Sequence, residues 1–96
     1  MQISFNPLAE RELKDAAQYY EVESPGLGDA FLGEVNHSCN VIAEYPEAAP
    51  LLLGSVRRRL LRRFPYALLY SVRPEAIRIL AVMNLNRRPT YWIGRM

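Results

Sequence analysis

The sequence predicts a two-layer α+β domain of order β-α-α-β-β-β, a helical hairpin packed on a small antiparallel sheet. Three observations lead there. Apolar side chains recur at helical spacing through the first half, interrupted only at Ser24-Pro25-Gly26. After Ser55 the pattern changes to apolar runs of strand length bounded by turn residues. The links between those runs are too short for parallel crossovers, so the runs form an antiparallel meander.

Each element has its own local reason. Gln2-Ile3-Ser4-Phe5 alternates polar and apolar, as a short half-buried strand does. Asn6-Pro7 supplies an amide at the N-cap and a proline at the first helical position. Ala9, Leu13, Ala16, Ala17 and Tyr20 then make one apolar stripe, and Ser24-Pro25-Gly26 stops the helix. A second helix is expected from about Gly28 to Tyr45, with Phe31, Leu32, Val35, Cys39, Ile42 and Ala43 on its apolar face and Pro46 at its end. So short a break folds the two helices back on each other, and the alanines of the first stripe permit close approach. Pro46 to Pro50 reads as a loop, and Gly54-Ser55 ends the connection. Arg57 to Phe64, Tyr66 to Val72 and Ile77 to Asn84 read as strands, with Arg73-Pro74-Glu75-Ala76 as a tight turn and Thr90 to Met96 as a tail. The strand that pairs with residues 2–5 is left open.

Ninety-six residues fit a single domain, taken as 1–96. Half of them are hydrophobic and 23% charged, a folded rather than disordered composition. Cys39 has no second cysteine to pair with, and no charged-then-apolar leader or long apolar run is present. The expectation is a cytoplasmic protein with no membrane contact.

Charge is distributed unevenly. Residues 1–50 carry Arg11 and Lys14 against nine acidic side chains, a net of −7. Residues 51–96 carry ten arginines against Glu75 alone, a net of +9. The two halves can simply neutralise each other, or they can present a basic face to an acidic protein or nucleic acid. Arginine suits the second use, because its planar fork of donors matches carboxylate and phosphate and keeps its proton.

The densest basic stretch, Arg57-Arg58-Arg59-Leu60-Leu61-Arg62-Arg63, does not alternate cleanly. One reading is a twisted or bulged edge strand whose charges discourage edge-to-edge pairing; another is a contact surface, since a partner segment can add a strand at an edge. Tyr91 and Trp92 likewise either cover an open end of the core or act as an aromatic anchor between Arg88 and Arg95.

Chemistry is sparse. One histidine and one cysteine two positions apart on a helix cannot supply a three- or four-ligand metal site, and there is no GxGxxG, P-loop or GxSxG pattern. No cofactor and no metal are expected. Metal-free RNA cleavage needs a base, donors for the phosphorane charge and an acid. Arginines meet only the second need. His37 lies off the apolar stripe and is expected to face solvent, Lys14 lies in the same helical hairpin, and Tyr66, Tyr70 and Tyr91 would need strong activation.

The element order, and three stretches of sequence, resemble the RelE/ParE toxin superfamily. Ala9 to Glu21 is similar to the family's first helix, Val56 to Tyr70 with its Phe64-Pro65-Tyr66 turn to its central hairpin, and Ile77 to Val82 with Arg87-Arg88-Pro89-Thr90-Tyr91-Trp92 and Arg95 to its closing strand and tail. The resemblance implies the toxin of a type II toxin–antitoxin pair, with a cognate antitoxin as partner and operator DNA reached only through that antitoxin. It implies one of two activities, inhibition of DNA gyrase by binding, as in ParE-like members, or ribosome-dependent cleavage of messenger RNA, as in RelE-like members. At Asn84, where relatives often carry histidine, this chain has an amide that cannot exchange a proton at neutral pH. The basic complement therefore fits binding better than catalysis, and a non-toxic binding module is the third possibility. The candidate contact residues are Arg57, Arg59, Arg63, Arg78, Arg87, Arg88, Tyr91, Trp92 and Arg95.

Overall fold

In the computed structural model, which describes residues 1–96, the chain runs β1 (Gln2–Phe5), α1 (Pro7–Glu23), α2 (Leu27–Glu44), β2 (Leu51–Leu53), β3 (Val56–Leu60), β4 (Tyr66–Val72) and β5 (Ala76–Asn84), then one 3-10 turn (Ile93–Arg95). The strands form one sheet in the order β1-β5-β4-β3-β2. β1 lies parallel to β5, and the other neighbours are antiparallel, so the sheet is mixed. The helical hairpin between β1 and the meander makes the parallel pairing possible.

Helix α1 starts as its residues dictate. The Asn6 side chain accepts a hydrogen bond from Leu8 N at 2.8 Å, and Pro7 follows it. Helix α2 has no side chain of its own at its cap, where Gly26 sits at φ 88°. Its free N–H groups are met from α1, because the Glu21 carboxylate accepts from Gly26 N and Gly28 N at 2.9 and 3.0 Å. The helices touch closely here. A methyl group on Gly28 would stand 2.5 Å from Ala17 O.

The sheet buries apolar side chains on both faces. Toward the helices, Leu68, Tyr70, Ile77, Ile79 and Val82 pack with Ala9, Ala16, Phe31, Val35 and Ile42. On the other face Val56, Ala67, Leu69, Leu80, Ala81 and Met83 pack around Trp92 from the tail. A register shift between β4 and β5 after Leu69 lets the consecutive residues Leu80 and Ala81 both serve this second core. The expected single helix layer is thus completed by a tail that covers the reverse side.

Three expectations for the arginine region are corrected. The stretch 46–55 is not only a connection, since Leu51–Leu53 forms β2, whose three side chains are exposed. β3 ends at Leu60 rather than Phe64. Beyond it the Glu34 carboxylate accepts from Arg62 N and Arg63 N, which holds the chain in a turn instead of a strand. β3 is also not a full edge strand. β2 covers it as far as Arg57, and Arg58 N reaches Pro50 O at 3.1 Å, after which its outer side is open.

Candidate functional site

Most of the arginines have no acidic partner. Only two ion pairs form, Lys14–Glu10 and Arg95–Glu12, so Arg95 alone of the ten arginines in the second half pairs its guanidinium with a carboxylate; Arg62 and Arg63 meet Glu34 through their backbone N–H groups only. Arg62, Arg63, Arg73, Arg87 and Arg88 are exposed, and Arg57, Arg58, Arg59 and Arg78 are partly so. Most of the positive charge of this half therefore stands at or near the surface without an ion-pair partner.

The nine candidate residues divide into two groups. Arg57 donates to Glu47 O and Ala49 O at 2.9 and 2.7 Å and so braces the loop before β2. Arg78 bonds Ser4 Oγ and Phe5 O, tying β5 to β1. Trp92 is 1% exposed and donates to Pro89 O; it is a core residue of the second sheet face, which removes it from any contact surface. Tyr91 donates to Glu12 Oε2 at 2.7 Å, and Arg95 reaches both Glu12 oxygens at 2.8 and 3.1 Å. These two are tail fasteners before they are anything else. Arg59, Arg63, Arg87 and Arg88 keep their head groups free of carboxylates, with Arg63 over the Phe64 ring at 5.6 Å and Arg87 over the Tyr91 ring at 4.2 Å.

The fastening has a reason in the sheet. β1 leaves β5 at Ile79, where Asn6 N bonds Ile79 O, so β5 from Leu80 onward lacks a strand on that side. Glu12 accepts from Val82 N at 3.1 Å, and Arg95 donates to Leu80 O at 3.1 Å. A carboxylate from α1 and a guanidinium from the tail thus satisfy the backbone that a sixth strand would otherwise pair.

At the opposite end the open side of β3 borders a cleft of about 400 Å³ lined by Ala48, Ala49, Pro50, Arg58, Arg59, Leu60 and Arg62. Arg59 pairs with Leu68 and therefore points to the helix face, whereas Arg58 pairs with Leu69 and points to the reverse face. The cleft wraps the strand edge between them. Arg59 Nε is buried without a hydrogen-bond partner. Arg58 and Arg62, and the exposed Leu51, Leu52, Leu53 and Leu60 beside them, were not among the candidates. The signal available was Leu51-Leu52-Leu53 between Pro50 and Gly54, an apolar run of strand length bounded by turn residues.

The groups able to move protons lie on different elements. His37 is exposed on α2, as expected. Burial pushes the Tyr70 hydroxyl above its ordinary value, partly offset by Arg57 and Arg59, and Tyr70 donates to Pro46 O at 2.8 Å. Tyr91 is pushed higher still by burial and by its bond to Glu12. Cys39 is pushed up to about 11 by burial. Tyr66 lies in a second cleft of about 280 Å³ with Asp15, Asn84 and Arg87, where Glu12 is already committed to four donors.

The fold is matched in known proteins. The model of the ParE toxin of the type II toxin–antitoxin system parDE matches residues 3–89. The chain belongs to the ParE toxin family. Among solved structures, a chain of the chromosomal ParDE toxin–antitoxin system from P. aeruginosa is similar with a TM-score of 0.74 and 19% identity. The match covers 88% of this chain and 95% of that one, so the fold is shared over nearly its full extent. Comparison with curated proteins gives no match. No helix of this ParE-family chain is long and apolar enough to cross a membrane.

Proposed function

We propose that this ParE-family chain acts by binding, inhibiting DNA gyrase, and that a cognate antitoxin neutralises it by covering part of the same cationic surface. The observation that carries the reading is the set of second-half arginines, of which only Arg95 is paired to a carboxylate. Such a surface favours an acidic macromolecular partner and speeds encounter with it. The hydroxyls of Tyr70 and Tyr91, raised above their ordinary values first by burial and already bonded to Pro46 O and Glu12, favour recognition over acid–base catalysis.

The test is supercoiling by purified gyrase with added toxin. Inhibition is expected, and Arg88→Glu with Arg87→Gln should weaken it; the melting temperature should fall only slightly, through loss of the Arg87–Tyr91 stacking, since Arg88 is exposed and the neutral glutamine adds no charge beside Glu12. Unchanged supercoiling at excess folded toxin would refute the gyrase assignment. Cuts in translating messenger RNA, abolished by the same substitutions, would replace it with ribosome-dependent cleavage.

A further inference from the structure

We infer that the stepped edge formed by β2 and the open end of β3 takes an extended, acidic, apolar-alternating segment of a partner protein as an added strand, with a carboxylate entering the arginine cleft. The backbone supplies the first reason. Leu61 N bonds Tyr66 O across to β4, so the neighbouring Leu60 turns its own N–H and C=O outward, where no strand lies. β2 would have covered them had it begun earlier. Instead the preceding loop is drawn toward the helix face by Arg57, which holds Glu47 O and Ala49 O, and by Tyr70, which holds Pro46 O. The cleft is the space left where a strand would have continued.

The side chains supply the second reason. Leu51, Leu53 and Leu60 are 58%, 47% and 53% exposed along this edge, Leu51 toward the helix face and Leu53 and Leu60 toward the reverse face, so apolar surface is left to solvent on both sides of it. Around it stand Arg58, Arg59 and Arg62, whose guanidinium groups form no ion pair, Glu34 being held by the backbone N–H groups of Arg62 and Arg63, and Arg59 Nε is buried and unbonded. A buried donor without an acceptor is costly, and a carboxylate is the acceptor that a guanidinium matches best. Charge also decides among occupants. A second copy joined β2 to β2 would bring two like arginine clusters together, which opposes pairing. An acidic strand satisfies the edge, the leucines and the arginines at once.

That the antitoxin supplies this strand rests on the function proposed above; the binding site itself does not. The experiment uses the full chain and a labelled peptide alternating valine with glutamate, followed by fluorescence anisotropy. Binding is expected. It should weaken about tenfold or more when glutamine replaces glutamate, the scale of a charge-assisted contact, and should vanish when alternate peptide amides are N-methylated. Arg62→Gln, at an exposed side chain, should weaken it by a similar factor; so should Arg59→Gln if its melting curve shows a folded protein, while Arg88→Gln should not. Deuterium exchange should slow at the Leu60 amide on binding. Equal affinity for the glutamine peptide, tolerance of N-methylation, or indifference to Arg62→Gln would each overturn the inference. So would a single-stranded RNA that binds through these arginines when the acidic peptide does not. If co-expressed antitoxin neutralises the Arg62→Gln toxin as well as the parent, the antitoxin binds elsewhere and only its role here fails.

Discussion

Glu12→Gln is expected to release the tail from the body of the protein. The Glu12 carboxylate accepts from Val82 N, Tyr91 Oη and both terminal nitrogens of Arg95, and the ion pair is well shielded, with side-chain exposures of 17% and 12%. Glutamine has nearly the same shape and helix propensity, so α1 itself should be unaffected. It removes the charge and one acceptor, and turns an NH2 group toward the donors of Arg95. Breaking one partner of a buried pair costs about 3–5 kcal/mol, and the residual exposure here lowers that to about 2–4 kcal/mol. A domain of this size has on the order of 5–10 kcal/mol in total and loses roughly 4–8 °C per kcal/mol, so a fall of about 10–30 °C is expected. The assay is thermal unfolding by circular dichroism, with tryptophan fluorescence reporting whether Trp92 leaves its pocket. A cycle with Arg95→Met should give a coupling of at least about 1 kcal/mol between the two side chains. A fall of less than about 4 °C, or coupling within about 0.5 kcal/mol of zero, would refute the idea that this cluster fastens the tail.

Other predictions follow from single contacts. Gly28→Ala should destabilise by about 1–3 kcal/mol in urea titrations, because its methyl would meet Ala17 O at 2.5 Å and Glu21 Cβ at 2.9 Å. Trp92→Ala should cost about 3–5 kcal/mol and abolish cooperative melting at growth temperature, since the side chain is the centre of the second core. Cys39, held near 11 by burial, should react with iodoacetamide at neutral pH at about one-hundredth of the rate of a free thiol, reaching that rate only in urea. Tyr20, Tyr70 and Tyr91 all have raised values in the folded state, so the stability they confer is present below about pH 10 and is lost as pH climbs above it toward the folded values. Melting temperature should hold steady up to that point and then drop, and less steeply in Tyr91→Phe.

Much of the surface assignment was beyond residue type alone. Arg57, Arg78 and Arg95 are chemically the same as Arg62 and Arg88, yet the first three are spent on carbonyls and Glu12 and the last two point into solvent. What separates them is which backbone carbonyls and carboxylates the fold brings alongside, a matter of contacts up to 83 residues apart in the chain, as for Arg95 and Glu12. Trp92 shows the same limit. An aromatic residue between arginines serves equally well in an interface or in a core, and only the uncovered face of β3, β4 and β5 explains why it went to the core.

The amino-acid order alone determined both helices, the Asn6-Pro7 cap of the first, the break between them, the β4–β5 hairpin and the separation of charge, because these depend on spacing and on neighbours a few residues away. It also carried the family resemblance, through stretches such as Phe64-Pro65-Tyr66 and Arg88-Pro89-Thr90-Tyr91-Trp92. Tertiary structure decided that β1 joins β5 in parallel, that β2 exists, that β3 stops at Leu60, and which arginines are free. Those outcomes turn on backbone groups finding partners across the sheet, and a partner's position is set by the whole chain rather than by the residues next to it.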